Sequence, residues 1–214
     1  MSEQGDEFWP GERSAPATVE EEDTGEEPAV VVEDLVEAAP EEAPPAGHAP
    51  GALDIPVGAD LVEGTPHGTR KRIAIVVSRF NGDVTNRLLE SAFAELERAG
   101  IERGHVTVMP VPGAFELPIG AMALAKTRRY VAVIALGCVI RGETAHFEYV
   151  AGEAASGLQL AALETGVPVA FGVLTTDNVE QAMNRVDKGA DAVRSALEMA
   201  DLFNTLRATA KASA

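Results

Sequence analysis

The chain has 214 residues, 46% of them hydrophobic, with one cysteine and a formal net charge of −17, which leaves ample apolar material for a core in one or two domains. The acidic balance argues against a nucleic-acid binder, which needs a basic stripe to neutralise phosphates. Cys138 stands alone, excluding an internal disulfide or a multi-thiolate zinc site.

The charge is divided unevenly. Residues 1–70 hold 18 acidic residues against two arginines, so −16 of the −17 belongs to the first third, together with nine of the 13 prolines. Runs such as EEEDTGEEP and AAPEEAPPAGHAPGA bury too little apolar surface to offset the entropy of ordering. They predict a disordered acidic tail over 1–58, ahead of a folded domain over 59–214. The tail reads either as a solvated spacer or as a docking segment for a protein partner, since FWP (8–10) and AVVVEDLVEAA (29–39) offer apolar contact. The start MSEQGDE lacks the basic-then-apolar order of a signal peptide, and no apolar run approaches ~20 residues. A cytoplasmic protein away from membranes is expected.

From residue 71 onward, short β-branched apolar runs alternate with longer stretches of helical spacing. RIAIVV (72–77), HVTVMPV (105–111), YVAVIAL (130–136) and PVAFGVL (168–174) read as strands buried on both faces. Between them, TNRLLESAFAELERAG, AFELPIGAMALAK and AHFEYVAGEAASGLQLAALETG have the length and the Gly or Lys ends of crossover helices. VEQAMNR and KGADAVRSALEMADLFNTLRATAKA close the chain with further helix. Four βα units in sequence imply a four-stranded parallel sheet with helices on both faces, a three-layer αβα sandwich.

Ligands of such sheets bind outside the carboxyl ends of the strands. The four segments there are SRFN (78–81), PGAFE (112–116), CVIRGETAH (138–146) and TTDN (175–178), all polar, glycine-bearing or aromatic; the opposite turns, RAGIERG and AKTRR, look like ordinary surface. Thr144 is placed to cap a helix starting near Ala145, and Gly142 permits close backbone approach, so free N–H groups and the helix dipole would favour an anion. His146 lies in the first turn, where it is either a satisfied surface residue or a proton carrier beside that anion. Phe80 and Phe115 either plug the core or offer a flat face to a ring, while Phe171, within a strand, reads first as core. Glu116 either caps its helix or accepts hydrogen bonds from the hydroxyls of a polyol. Cys138 suits the packing of a strand end, a reactive thiol being the lesser reading.

Taken in order, IAIVVSRFN, VPGAFELP, ALGCVIRGETAHFEYV, PVAFGVLTTDNVEQA and KGADA closely resemble the lumazine synthase family, over about 61–206. Five separated motifs in the right order are far more specific than one. The resemblance implies a flavodoxin-like fold and the penultimate step of riboflavin synthesis. In that step 5-amino-6-ribitylaminouracil condenses with 3,4-dihydroxy-2-butanone 4-phosphate to give 6,7-dimethyl-8-ribityllumazine, phosphate and water, with no metal or organic cofactor. By the same resemblance Phe80 stacks on the pyrimidine, the backbone at Ala114 and Phe115 with the Glu116 carboxylate holds the ribityl chain, and Cys138, Val139 and Ile140 meet the ring edge. Glu143 and Thr144 hold the phosphate, and His146 moves protons. Phe171 and Arg185 reach in from a neighbouring subunit.

Family members assemble as pentamers, some building shells of twelve pentamers, and LVEGTPHG (61–68) resembles the short N-terminal strand added to a neighbouring subunit's sheet. In one place the chain departs from the pattern: where the family often reads ERAGTKAGNKG, it has NRVDKG (184–189), five residues shorter. An active synthase is the leading expectation, with a non-catalytic shell or scaffold subunit of the same family as the alternative.

Overall fold

Strands β1 (Ile73–Ser78) and β3 (Ala132–Ile140) are apolar almost throughout and buried on both faces. They pair with each other in the middle of a parallel sheet of order β2-β1-β3-β4. The computed structural model in which they are seen describes residues 53–68 and 71–212; the expected acidic tail lies outside the described residues up to residue 52. The remaining strands are β2 (Val106–Val111) and β4 (Val169–Thr176), which form the two edges. Pro110 sits on edge strand β2, where a missing N–H donor is tolerated.

The alternation of side chains along β1 and β3 sends residues to two separate cores. Ala74, Val76, Val133 and Ala135 face helices α2 (Leu117–Lys126) and α3 (His146–Thr165), meeting Leu117, Ala121, Leu124, Ala154 and Leu158. Ile73, Ile75, Ile134 and Leu136 face the other way, onto Ala92 and Leu96 of α1 (Gly82–Arg98) and onto Val193, Ala196 and Leu197 of α5 (Lys188–Ala212). Each fully buried Leu or Ile in these layers contributes about 1.5–3 kcal/mol relative to exposure. The three-layer sandwich expected from the sequence is therefore the observed one.

Two boundaries differ from the sequence reading. Strand β3 continues past Gly137 through Ile140, because Cys138, Val139 and Ile140 pair in register with Leu174, Thr175 and Thr176 of β4. The polar segments expected directly after those strands thus begin later, at Arg141 and Asp177.

The short helix α4 (Val179–Met183) is capped by the Asn178 side chain, which accepts the Gln181 N–H at 2.8 Å. From Asn184 to Ala190 the chain passes into α5 through overlapping four-residue turns, Lys188 N–H to Arg185 O, Gly189 N–H to Val186 O and Ala190 N–H to Asp187 O. This is the physical form of the shortened connection. It leaves Val186 half-buried against the cluster of Val84, Leu88, Cys138, Leu174 and Ala182.

Residues 53–63 carry neither helix nor strand and are exposed. Residues just after them are tied to the chain's own α5. Asp201 accepts from the Thr65 N–H at 3.0 Å and the Thr65 hydroxyl at 3.1 Å, with Lys71 Nζ at 3.5 Å. The bond from the Thr65 N–H is the first cause that holds the Asp201 carboxyl below the usual range, against an opposing effect of burial. Gly64 lies so close to α5 that a Cβ there would stand 2.2 Å from the Glu198 carbonyl oxygen.

The α1 and α5 helices pack equally closely. Glu95 of α1 takes ion pairs from Arg98 and from Arg194 of α5, the latter at 3.2 Å. At Gly189 a Cβ would meet the Leu88 carbonyl oxygen at 2.2 Å. Gly189→Ala is expected to force the helices apart at a cost of about 1–3 kcal/mol, lowering Tm by about 3–10 °C in a thermal melt followed by circular dichroism; an unchanged Tm would show that the contact can open freely.

Candidate active site

The strand order reverses between β1 and β3: the chain leaves β1 for β2 on one side and then crosses to β3 on the other. Loops diverge at such a point and leave a crevice outside the carboxyl ends. Here the crevice is a cleft of about 230 Å³, lined by Phe80, Asn81, Gly113, Ala114, Phe115, Cys138, Val139, Ile140, His146, Phe147 and Val150.

Its walls are set by backbone ties between the loops. The Arg79 N–H donates to Val111 O at 2.8 Å and the Phe80 N–H to Pro112 O at 3.1 Å, which fixes the loop after β1 against the loop after β2. Asn81 holds a left-handed backbone, φ 57°, a conformation that asparagine tolerates better than most residues. Its Nδ2 donates across to Cys138 O at 3.0 Å and so joins the loop to β3. Phe80 and Phe115 are 71% and 57% exposed, so neither plugs the core; both offer ring faces.

Glu116 uses its carboxylate locally: Oε2 accepts the Gly113 N–H at 2.9 Å, closing the turn that precedes α2. It borders the cleft and does not line it. Burial pushes the Cys138 thiol up to about 11, so the thiol is neutral and its contribution is shape. Thr144 does not cap α3 as expected. The cap position is Ala145, which has no acceptor, and Thr144 Oγ1 only reaches the His146 N–H at 3.5 Å. The helix therefore begins with amide donors that no side chain holds tightly, and Glu143 and Thr144 flank that end, exposed.

Two expected residues are elsewhere on the chain. Phe171, 49% exposed, faces a groove of about 510 Å³ beside edge strand β4, with Leu163, Pro168, Met199 and Phe203. Arg185 is exposed just after α4, its Nη1 donating to Gln181 O at 2.8 Å. The sequence reading did not single out Gly113, Phe147 or Val150, and took Asn81 only as part of a loop. For Val150 the available signal was its i,i+4 spacing from His146 on one helix face, with Phe147 three residues before it.

The sequence over residues 70–204 matches the model of 6,7-dimethyl-8-ribityllumazine synthase. The chain belongs to this family. Proteins named 6,7-dimethyl-8-ribityllumazine synthase from Yersinia pestis (strain Pestoides F) and from Yersinia pseudotuberculosis (serotype O:1b, strain IP 31758) are each 49% identical to it over 154 residues, covering 69% of this chain and 99% of theirs. The family region thus contains every residue of the cleft. Among the described residues no helix is long and apolar enough to cross a membrane.

A raised thiol has a direct chemical readout. At pH 8 iodoacetamide is expected to label Cys138 at least about 100-fold more slowly in the folded chain than in urea, because only the thiolate reacts and burial disfavours it. Equal rates by mass spectrometry would show an accessible, ionised thiol instead.

Proposed function

We propose that this cleft is where the chain joins 5-amino-6-ribitylaminouracil to 3,4-dihydroxy-2-butanone 4-phosphate. As a member of its family the chain is a transferase of riboflavin biosynthesis that forms 6,7-dimethyl-8-ribityllumazine. The observation that carries the site assignment is convergence: four separated segments bring Phe80, Ala114, Phe115, Cys138, Val139, Ile140 and His146 onto one cleft at the sheet's switch point.

In this reading Phe80 stacks on the pyrimidine, whose edge meets the backbone of Cys138, Val139 and Ile140. The ribityl chain runs past Ala114 and Phe115 toward Glu116, whose second carboxylate oxygen is left to accept a hydroxyl. The phosphate rests on the N-terminal amides of α3 beside Glu143 and Thr144, where the positive end of the helix dipole favours an anion. The ring amine attacks the ketone carbonyl, and loss of water gives an imine. Phosphate then leaves, the resulting enol becomes a ketone, and the ribitylamino nitrogen closes the ring on that carbonyl with loss of a second water. His146, at the first position of α3, carries protons between these steps. Much of the acceleration comes from holding two reactive molecules in register.

A volume of about 230 Å³ is below the roughly 300–1,000 Å³ usual for small-molecule sites, which supports a site completed by a second subunit. Phe171 and Arg185, away from the cleft of their own chain, would serve the cleft of a neighbour, within a pentamer or a shell of twelve pentamers. Residues 61–63, exposed and apolar at Leu61 and Val62, would extend a neighbouring sheet, whose open edge otherwise invites aggregation. The acidic segment holds no residue given a role in the reaction and would serve as a docking segment for a protein partner. A non-catalytic scaffold is not favoured, because each position given a chemical role keeps a residue suited to it.

Incubating the protein with both substrates should produce lumazine absorbance faster than the uncatalysed background; no excess rate overturns the assignment. Arg185→Ala removes one charge-assisted fork worth about 1.5–3 kcal/mol, so KM for the phosphate substrate should rise about 10- to 100-fold while pyrimidine binding stays within twofold. Equal weakening of both substrates would contradict the role given to Arg185.

A further inference from the structure

We propose that Arg141 is a positioning residue, whose guanidinium holds the first turn of α3, and with it His146, against the cleft wall. The proposal rests on the reading of this cleft as the reaction site. Arg141 follows the last residue of β3, and its N–H donates to Thr176 O at 2.8 Å, which carries the β3–β4 ladder one step further and fixes the root of the side chain. Nε then donates to Asp177 Oδ1 at 2.8 Å. Cζ stands 4.2 Å from the centroid of the Phe147 ring, and Nη1 lies 3.9 Å from Glu148 Oε1.

One planar group thereby touches two consecutive residues of the helix that begins at His146 and a residue of the adjoining loop. Asp177 is itself held, its N–H donating to Gln181 Oε1 of α4 at 3.0 Å. Phe147 and Val150 pack against the core and the Glu148 N–H donates to Ala145 O at 3.0 Å, but no side chain caps this helix end. Ala145 offers no cap, the Thr144 contact is 3.5 Å long, and a Cβ on Gly142 would meet nothing within 4 Å. Without the stack the first turn loses its outer clamp and His146 can shift, and a displacement of about 1 Å at a proton carrier can cost about 100-fold in rate. Lysine cannot replace the group fully, since it lacks the planar face and the fork. The ion pairs are exposed and add little to stability, so the effect belongs in kcat and not in Tm.

Arg141→Ala, Arg141→Lys and Asp177→Asn, with the Arg141→Ala/Asp177→Asn pair, test this in the full-length protein. In Arg141→Ala kcat should fall about 10- to 100-fold, with KM for the pyrimidine within twofold and Tm within about 2 °C. Arg141→Lys should fall between it and the parent, and Asp177→Asn should add little on top of Arg141→Ala, as expected for groups acting as a unit. Amide exchange over residues 142–148 should quicken in both Arg141 variants. Unchanged kcat in both variants, or kcat, KM and Tm declining together as in a folding defect, overturns the proposal. Should the parent chain form no lumazine, the reaction assigned to the cleft fails; unchanged exchange over 142–148 in Arg141→Lys then separately overturns the positioning role.

Discussion

The central strands β1 and β3 are covered on both faces, and keeping them dry places nearly everything else. Their side chains alternate between two helix layers, so the chain must send helices to both sides of the sheet. A parallel arrangement puts each strand's exit at the same edge. The reversal of order between β1 and β3 then separates the loops at that edge. The cleft is what this separation leaves, and its location follows from packing before any chemistry is considered.

The chemistry comes from what the separated loops carry. The cleft wall is mainly apolar and aromatic, with backbone groups and a few polar side chains, a composition suited to a flat heterocycle bearing a polyol. Asn81 is the pivot, because its left-handed backbone turns the chain into α1 while its amide reaches Cys138 O. That one contact sets the distance between the Phe80 loop and the end of β3. The N-terminal end of α3, whose amides favour an anion, lies beside this wall, since His146 lines the same cleft.

Much of this was legible in the sequence for a physical reason. Runs such as IAIVV and VAVIAL are too uniformly apolar to have a wet face, and the segments after them are too polar to continue inward. Strand length was not legible, because Gly137 and Cys138 resemble a strand end and only the partner β4 keeps them extended. Thr144 is a good capping residue by type, yet the turn places Ala145 at the cap. Phe147 and Arg141 look like a core aromatic and a solvated charge when read alone; their pairing depends on how the loop folds back over the helix. The separation of Phe171 and Arg185 from the cleft was expected from the family resemblance and not from the residues themselves.

The run of tight turns from Asn184 to Ala190 has a bearing on how such a chain can vary. With Val186 half-buried against a small apolar cluster and α5 beginning at once, the link has little slack to absorb a change of length. Adding a single residue would swing the Arg185 side chain by roughly a third of a revolution about the helical path and pull Val186 from its seat. Change in this linker is therefore accommodated more readily by substitution than by insertion of one or two residues.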